Sequence, residues 1–225
     1  MASGGSGPVV PAPRAIRDVV FDLGGVLIDW DPRYLFRDHL GGNPAEVDAF
    51  LADVCTPIWH ARLDGGASFA AETRALAARF PQHARWIEAY GSNWHRMFAG
   101  SFAESVTCLE RLAGRGYRLH ALSNYPAEHI RFLYRRFPFM RRFETVVLSG
   151  LLRCSKPDPA IYAYVLARIG GRPCLFVDDR AENVSAAIGA GMQAMLFEQA
   201  SGVEQLWARL GESAAPAVEI DGSFA

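Results

Sequence analysis

Lysine is almost missing from this chain of 225 residues: of its 23 basic residues only Lys156 is a lysine, and the others are arginines. Arginine therefore fills the surface roles, and the one compact ammonium asks for a reason of its own. Neither sign of charge is in excess. The 23 basic and 24 acidic residues leave a formal net charge of −1, which lacks the electrostatic footprint of a nucleic-acid or anionic-membrane binder. Cysteine is scarce too. Cys55, Cys108, Cys154 and Cys174 lie far apart, with no C-x-x-C pair and no histidine at a metal-ligand spacing; they are expected to be reduced, mostly buried thiols of a cytoplasmic protein. No apolar run approaches the roughly 18 residues needed to span a bilayer. Residues 1–16, "MASGGSGPVVPAPRAI", have neither an apolar stretch nor the basic flank of a signal peptide and are expected to be a loose lead, as 213–225 are a loose tail.

What the chain does have is hydrophobic residues, half of the total, enough for a full core. Four short apolar runs end in polar residues: "DVVFD" at 18–22, "RLHALS" at 118–123, "TVVLS" at 145–149 and "CLFVDD" at 174–179. A fifth, "AMLF" at 194–197, has no such ending. Continuous apolarity predicts strands covered on both faces, as in a parallel sheet. Helices are signalled between them. Ser101 with Glu104 suggests a capping box ahead of Val106, Leu109 and Leu112, with Gly114 and Gly116 as the stop. Asp158 and Pro159 open a helix that buries Ile161, Val165, Leu166 and Ile169 and ends at Gly170; Asn124 and Pro126 open another that carries Ile130, Leu133, Tyr134 and Phe137. Alternating strand and helix predicts an α/β fold with a doubly wound, Rossmann-like parallel sheet.

Residues 31–101 break the alternation. They carry helical spacing and no convincing strand, with Val47, Phe50, Leu51 and Val54 on one helix, Phe69, Leu76 and Phe80 on a second, and Trp86, Ile87, Tyr90, Trp94 and Phe98 on a third. A helical module inserted after the first strand is expected, with these aromatics as its own core. The core domain is then 17–30 with 102–212.

Ligands of an open parallel sheet sit outside the carboxyl ends of its strands. There the sequence collects Asp22, Ser123, Asn124, Asp178 and Asp179, with Lys156 in "SKPDP" just before a helix. Carboxylates suit a hard cation such as Mg²⁺, while a hydroxyl, a helix start and a lysine suit a phosphate. Together they suggest phosphoryl transfer. For Ser123 and Asn124 a plain helix cap is the competing reading; for Asp178 and Asp179 a purely structural reading is poor, because adjacent buried acids without a cation repel.

In order, "FDLGGVL", "ALSN", "SKPDP" and "FVDDRAEN" resemble the four motifs of the haloacid dehalogenase (HAD) superfamily, over the whole predicted core. The helical insertion is similar to a C1-type cap. The resemblance implies Asp22 as the nucleophile that forms an aspartyl-phosphate, and Mg²⁺ held by Asp22, the Gly24 carbonyl and Asp179, with Asp178 bound through water or just behind. Asn183 would orient Asp179. Ser123 and the Asn124 backbone amide would bind the phosphoryl oxygens, and Lys156 would neutralise charge between them and Asp22. The loop "WHARLDGGAS", 59–68, stands where C1-capped relatives select substrate, so His60, Arg62 and Asp64 are specificity candidates, with a solvated loop as the alternative. The implied partner is a small phosphorylated metabolite.

One position departs from the pattern. Most superfamily phosphatases carry a second Asp two residues after the nucleophile, as acid and then base; here that position is Gly24. Dehalogenases also lack that Asp, and so does a subgroup with "DLGN"-type first motifs resembling glucose-1-phosphate phosphatases. Dehalogenases need no metal and do not keep the paired acids, whereas this chain has Asp178 and Asp179. The expectation is a Mg²⁺-dependent phosphohydrolase of small, sugar-phosphate-like monoesters; a 2-haloacid dehalogenase and a catalytically idle binding module are the alternatives.

Overall fold

The computed structural model describes residues 15–39 and 41–212. The tail at 213–225, and the lead except for Ala15 and Ile16, lie outside the described residues. The strands are β1 (Asp18–Phe21), β2 (Ile28–Trp30), β3 (Phe98–Ser101), β4 (Arg118–Ser123), β5 (Thr145–Leu148), β6 (Cys174–Asp178) and β7 (Gln193–Leu196). The α-helices are α1 (Pro44–Asp53), α2 (Pro57–Asp64), α3 (Phe69–Arg79), α4 (Ala84–Ser92), α5 (Ala103–Gly114), α6 (Ile130–Arg136), α7 (Ser149–Leu152), α8 (Pro159–Arg168), α9 (Ala181–Gly189) and α10 (Gly202–Arg209).

Five strands form one parallel sheet in the order β5-β4-β1-β6-β7. Side chains along its central strands alternate between two buried layers, because successive Cβ atoms point to opposite faces. Val19, Phe21, Leu119, Ala121, Leu175 and Val177 pack on one side, against Leu109 and Leu112 of α5 and Trp207 of α10. Val20, Leu122, Cys174 and Phe176 pack on the other, against Ile161 and Val165 of α8 and Ala187 of α9. This two-sided cover is why the strands read as continuous apolar runs, and it makes the core a Rossmann-like α/β fold.

The helical insertion has its own hydrophobic cluster, which includes Val47, Phe50, Leu51, Ile87 and Tyr90. It is not strandless. β2 and β3 pair antiparallel where the chain enters and leaves it, and so satisfy backbone groups that would otherwise be buried unpaired. Segments of three and four residues are too short to show a period. Phe98, expected on a helix, is in β3. The capping box at Ser101 and Glu104 does not form: Ser101 is paired with Ile28, and Phe102 takes the cap position of α5 without a side-chain bond. The helix expected from Asn124 begins as a 3-10 turn at Ala127–His129 and becomes α-helical at Ile130; Tyr134, expected inward, is exposed.

The end of the sheet opposite the carboxyl ends is pinned by one buried acid. Asp18 accepts hydrogen bonds from Arg118 and Arg172 and lies 3.0 Å from His120 Nε2, so it joins β1 to β4 and to the approach to β6. Burial pushes its carboxyl up, but Arg118, Arg172 and His120 outweigh burial and hold it well below the usual range. A depressed native pKa adds stability above the unfolded value near 4 that is lost as pH falls. Asp18→Asn should therefore lower unfolding free energy by about 1–3 kcal/mol at neutral pH, and the gap to wild type should close below about pH 4. Urea unfolding of both proteins at several pH values checks the size and the sign.

Candidate active site

Asp22 follows β1, Ser123 closes β4, and Asp178 closes β6 with Asp179 next to it, so parallel pairing brings all four to one edge of the sheet. One oxygen from each of Asp22, Asp178 and Asp179 lies within 4.8 Å of the other two. Lys156 enters this group from the loop between α7 and α8. Its Nζ is 2.8 Å from Asp22 Oδ2, 2.6 Å from Asp178 Oδ2 and 3.2 Å from the Leu122 carbonyl. The lone lysine is buried against two acids rather than placed on the surface.

The loop that delivers Lys156 is itself held. Asn124 Nδ2 donates to the Lys156 carbonyl at 3.0 Å, and the Lys156 amide donates to Asn124 Oδ1 at 2.8 Å. Asn124 thus has a side-chain task that the sequence reading, which used its backbone, did not foresee. Asp178 is fully engaged: beyond Lys156 it accepts from the Arg180 amide and from Asn183 Nδ2, both at 2.9 Å. Asn183 therefore orients Asp178, not Asp179 as expected. Helical spacing does not apply to Asp179, which lies before the first residue of α9, and Asn183 in the first turn reaches back to Asp178 instead. Asp179 remains exposed.

The turn after Asp22 is closed by the Ile28 amide on the Leu23 carbonyl, 2.8 Å, and by the Gly25 amide on the Ile28 carbonyl, 3.1 Å. Both bonds bypass the polar groups of Gly24. Gly25 has φ +70°, and a Cβ there would lie 2.1 Å from Asp179 Oδ2, so the carboxylate occupies the space of the missing side chain. Gly24 is different: a Cβ there meets nothing within 4 Å.

Electrostatics follow from the crowding. Burial pushes the Asp22 carboxyl well above its usual range, Lys156 pulls it back, and Asp178 and Asp179 push it up again. Asp179, exposed as a residue but with its carboxylate packed against Gly25, is raised by the partial desolvation of that carboxylate and by Asp178. Burial alone would lower the Lys156 ammonium, but Asp22 and Asp178 outweigh it and raise it. The donor set is all oxygen with an excess of negative charge, and the cradle at Gly25 leaves room for a carboxylate and no side chain. These residues fit a hard divalent cation.

Of the three specificity candidates, none lies in an open loop, because 57–64 is helix α2. The signal was Thr56–Pro57: Thr56 Oγ1 accepts from the Trp59 amide at 3.1 Å and Pro57 opens the helix. His60 is walled in, with Nδ1 2.8 Å from the Tyr90 hydroxyl and its ring stacked on Trp94. Asp64 is buried, 3.5 Å from His60 Nε2, with one oxygen lacking a hydrogen bond. Arg62 points outward to Glu72.

Two residues that the sequence did not single out dock the helical module on the core. Ser149 Oγ donates to the Asp64 carbonyl at the end of α2, 2.6 Å, and accepts from the Tyr125 amide, 2.9 Å, beside Asn124. Glu128 accepts from the Phe69 amide at the start of α3, 3.1 Å. Both complete helix ends in the other module, a role with no sequence pattern, since the partners are 85 and 59 residues apart.

Comparison with known proteins places this arrangement. Residues 16–191 match the model of the haloacid dehalogenase-like hydrolases. A flavin mononucleotide hydrolase of Arabidopsis thaliana is 31% identical over 105 residues, 46% of this chain and 42% of that protein, so the match spans less than half of the relative. A phosphoglycolate phosphatase of Cereibacter sphaeroides is 26% identical over 194 residues, 80% of this chain and 84% of the other. Among solved structures, a HAD family enzyme of Bacteroides thetaiotaomicron, in complex with magnesium and inorganic phosphate, superposes with a TM-score of 0.65 at 20% identity, over 86% of this chain and all of that one. At that identity the likeness speaks for the fold. Family match, fold and strand-end site agree, and the chain belongs to the haloacid dehalogenase-like hydrolases.

Proposed function

We propose that the protein is a cytoplasmic, Mg²⁺-dependent phosphohydrolase of small phosphate monoesters. The observation that carries the proposal is the buried Lys156 ammonium 2.8 Å from Asp22, beside a cluster of three carboxylates at the strand ends. The phosphatases among its relatives support the reaction class, and the free thiols suit a reducing compartment. Retention of Asp178 and Asp179 argues against a metal-free dehalogenase, and the intact Asp22–Lys156–Asp178 set argues against an idle binding module.

In this reading Asp22 attacks phosphorus, the bond to the leaving oxygen breaks, and an aspartyl-phosphate forms; water then attacks phosphorus and frees Asp22. Lys156 counters the burial that pushes the Asp22 carboxyl up, so favouring its ionised form, and offsets charge gathering on the phosphoryl group. Ser123 and the Asn124 amide bind the phosphoryl oxygens, while the Asn124 side chain keeps Lys156 in register. Asp22, the Gly24 carbonyl and Asp179 would hold Mg²⁺, with Asp178 as the acid behind them. Bound there, the ion would supply positive charge for the transferring group. The solvent-open residue Asp179 and the fully hydrogen-bonded carboxylate of Asp178 support that division of labour. Residues 31–101 would act as a cap on a core of 17–30 and 102–212. His60 and Asp64 would act on selectivity from within the packed cap, and Arg62, turned to Glu72, much less.

A test of the reaction compares Mg²⁺-dependent phosphate release from p-nitrophenyl phosphate and a panel of small esters with halide release from 2-chloropropionate. Wild type should release phosphate only, and Asp22→Asn should lose that activity while keeping its far-UV circular dichroism. Near-normal phosphatase rates in Asp22→Asn would sink the mechanism.

Gly24 sets the substrate preference. A general acid is worth about 10²–10⁴ in rate, most for poor leaving groups. Without one, the enzyme should favour anomeric sugar phosphates and aryl phosphates over alkyl phosphates. A Cβ at Gly24 meets nothing within 4 Å, and Gly24→Asp should raise turnover more on an alkyl phosphate than on p-nitrophenyl phosphate. Equal handling of alkyl and anomeric phosphates by wild type would show that another residue supplies the proton.

A further inference from the structure

The fifth strand of the sheet ends in no acid, hydroxyl or lysine, yet the loop after it reaches the turn that carries Asp22 and Gly24. Phe197, directly after β7, donates its amide to the Asp178 carbonyl at 2.9 Å. Two residues later Gln199 Nε2 lies 2.6 Å from the Gly25 carbonyl and 3.1 Å from the Val26 carbonyl. A side-chain amide has two N–H donors, and here two adjacent carbonyls receive them. In the same turn the Asp179 carboxylate stands in the space that a Gly25 Cβ would take.

We infer that Gln199 is a positioning residue for the nucleophile turn, fixing Gly25 and Val26 so that the preceding Gly24 carbonyl is presented toward the carboxylate cluster. The inference rests on the proposed use of that carbonyl as a Mg²⁺ ligand. A turn holding two consecutive glycines costs more entropy to fix than any other dipeptide. Its internal bonds hold Leu23, Gly25 and Ile28 and leave the outer carbonyls at 25 and 26 to Gln199. The Gly25 amide on Ile28 holds the peptide between Gly24 and Gly25 from within the turn; without the clamp the next two peptides, whose carbonyls Gln199 binds, are freer to rotate, the turn loses its outer support, and a backbone ligand that shifts with it is lost as a ligand. Groups that orient a metal ligand are worth about 10–100-fold in affinity or activity.

The test measures Mg²⁺ binding by isothermal titration calorimetry, together with kcat, KM and thermal melting, on wild type, Gln199→Leu, Gln199→Glu and Asp179→Ala. Leu keeps the bulk and removes both donors; Glu removes both donors and adds a negative charge. Both Gln199 variants are expected to weaken Mg²⁺ binding by about 10-fold or more and to lower kcat with little change in KM. Because Gln199 is exposed, melting should stay close to wild type. Opposite effects, with Glu tightening and Leu loosening the ion, would mean that charge near the site rather than the clamp matters, and would overturn the inference. So would unchanged Mg²⁺ binding in Gln199→Leu while Asp179→Ala loses it, a result that leaves the phosphohydrolase reading intact. Wild type that binds no Mg²⁺ would overturn that reading and this inference with it.

Discussion

Two buried carboxylates stand on neighbouring parallel strands with a single ammonium between them, and much of the architecture answers to that contact. Asp22 and Asp178 face Lys156 at 2.8 and 2.6 Å in a site nearly closed to water. Removing either sign would strand an unpaired buried charge, a loss usually costing about 3–5 kcal/mol. The sheet supplies the two acids by register, since β1 and β6 pair in parallel and end together. The lysine has no such support from a strand, so Asn124 clamps its backbone at both polar groups. A lysine suits the place because a compact point charge can reach two acids and a carbonyl at once, whereas a planar guanidinium would impose its own fork.

The sheet was legible in the sequence because burial on both faces writes unbroken apolar runs, and each run ends where the chemistry begins. Asp22, Ser123, Asp178 and Asp179 could be placed by that rule alone, and Lys156 by its solitude. What could not be read were relations between residues distant in sequence or segments too short for a period. β2 and β3 are visible only as partners of each other. Ser149 and Glu128 look like an ordinary strand end and an ordinary surface acid. Asn183 pairs with Asp178 rather than Asp179 because helical spacing does not extend two residues before the helix begins. The capping box failed for a related reason: Ser101 satisfied the local pattern, but pairing with Ile28 claimed it first. Helix α2 is a different case, since Thr56 and Pro57 announce it locally.

The two glycines after Asp22 look alike in the sequence and are constrained in opposite ways. Gly25 is obligatory: its φ is positive, and a carboxylate fills the place of its side chain. Gly24 sits in ordinary backbone with open space before it. The lack of an acid at position 24 is therefore not forced by the packing of the turn. A Cβ there would meet nothing, so close packing of the backbone does not explain the glycine at 24 as it does at 25.

The same comparison of forced and unforced contacts bears on the proposed cap. Its contacts with the core include a hydroxyl on the last carbonyl of α2 and a carboxylate on the first amide of α3. Separation would hand these groups to water instead of leaving them buried, so each bond should oppose opening by only about 0.5–1.5 kcal/mol. Gly66 packs closely on the Gly150 carbonyl, where a Cβ would come within 2.7 Å, so the surfaces meet backbone to backbone at this point. The two polar contacts are specific in position and weak in energy, and the apolar part of the joint is Phe69 and Trp94 packed on His129. Because Ser149 also holds the Tyr125 amide beside Asn124, the loop proposed to bind phosphate shares one hydroxyl with the joint. Lifting the module would release one of the two bonds on that hydroxyl, so cap position and phosphate-loop order are linked through Ser149.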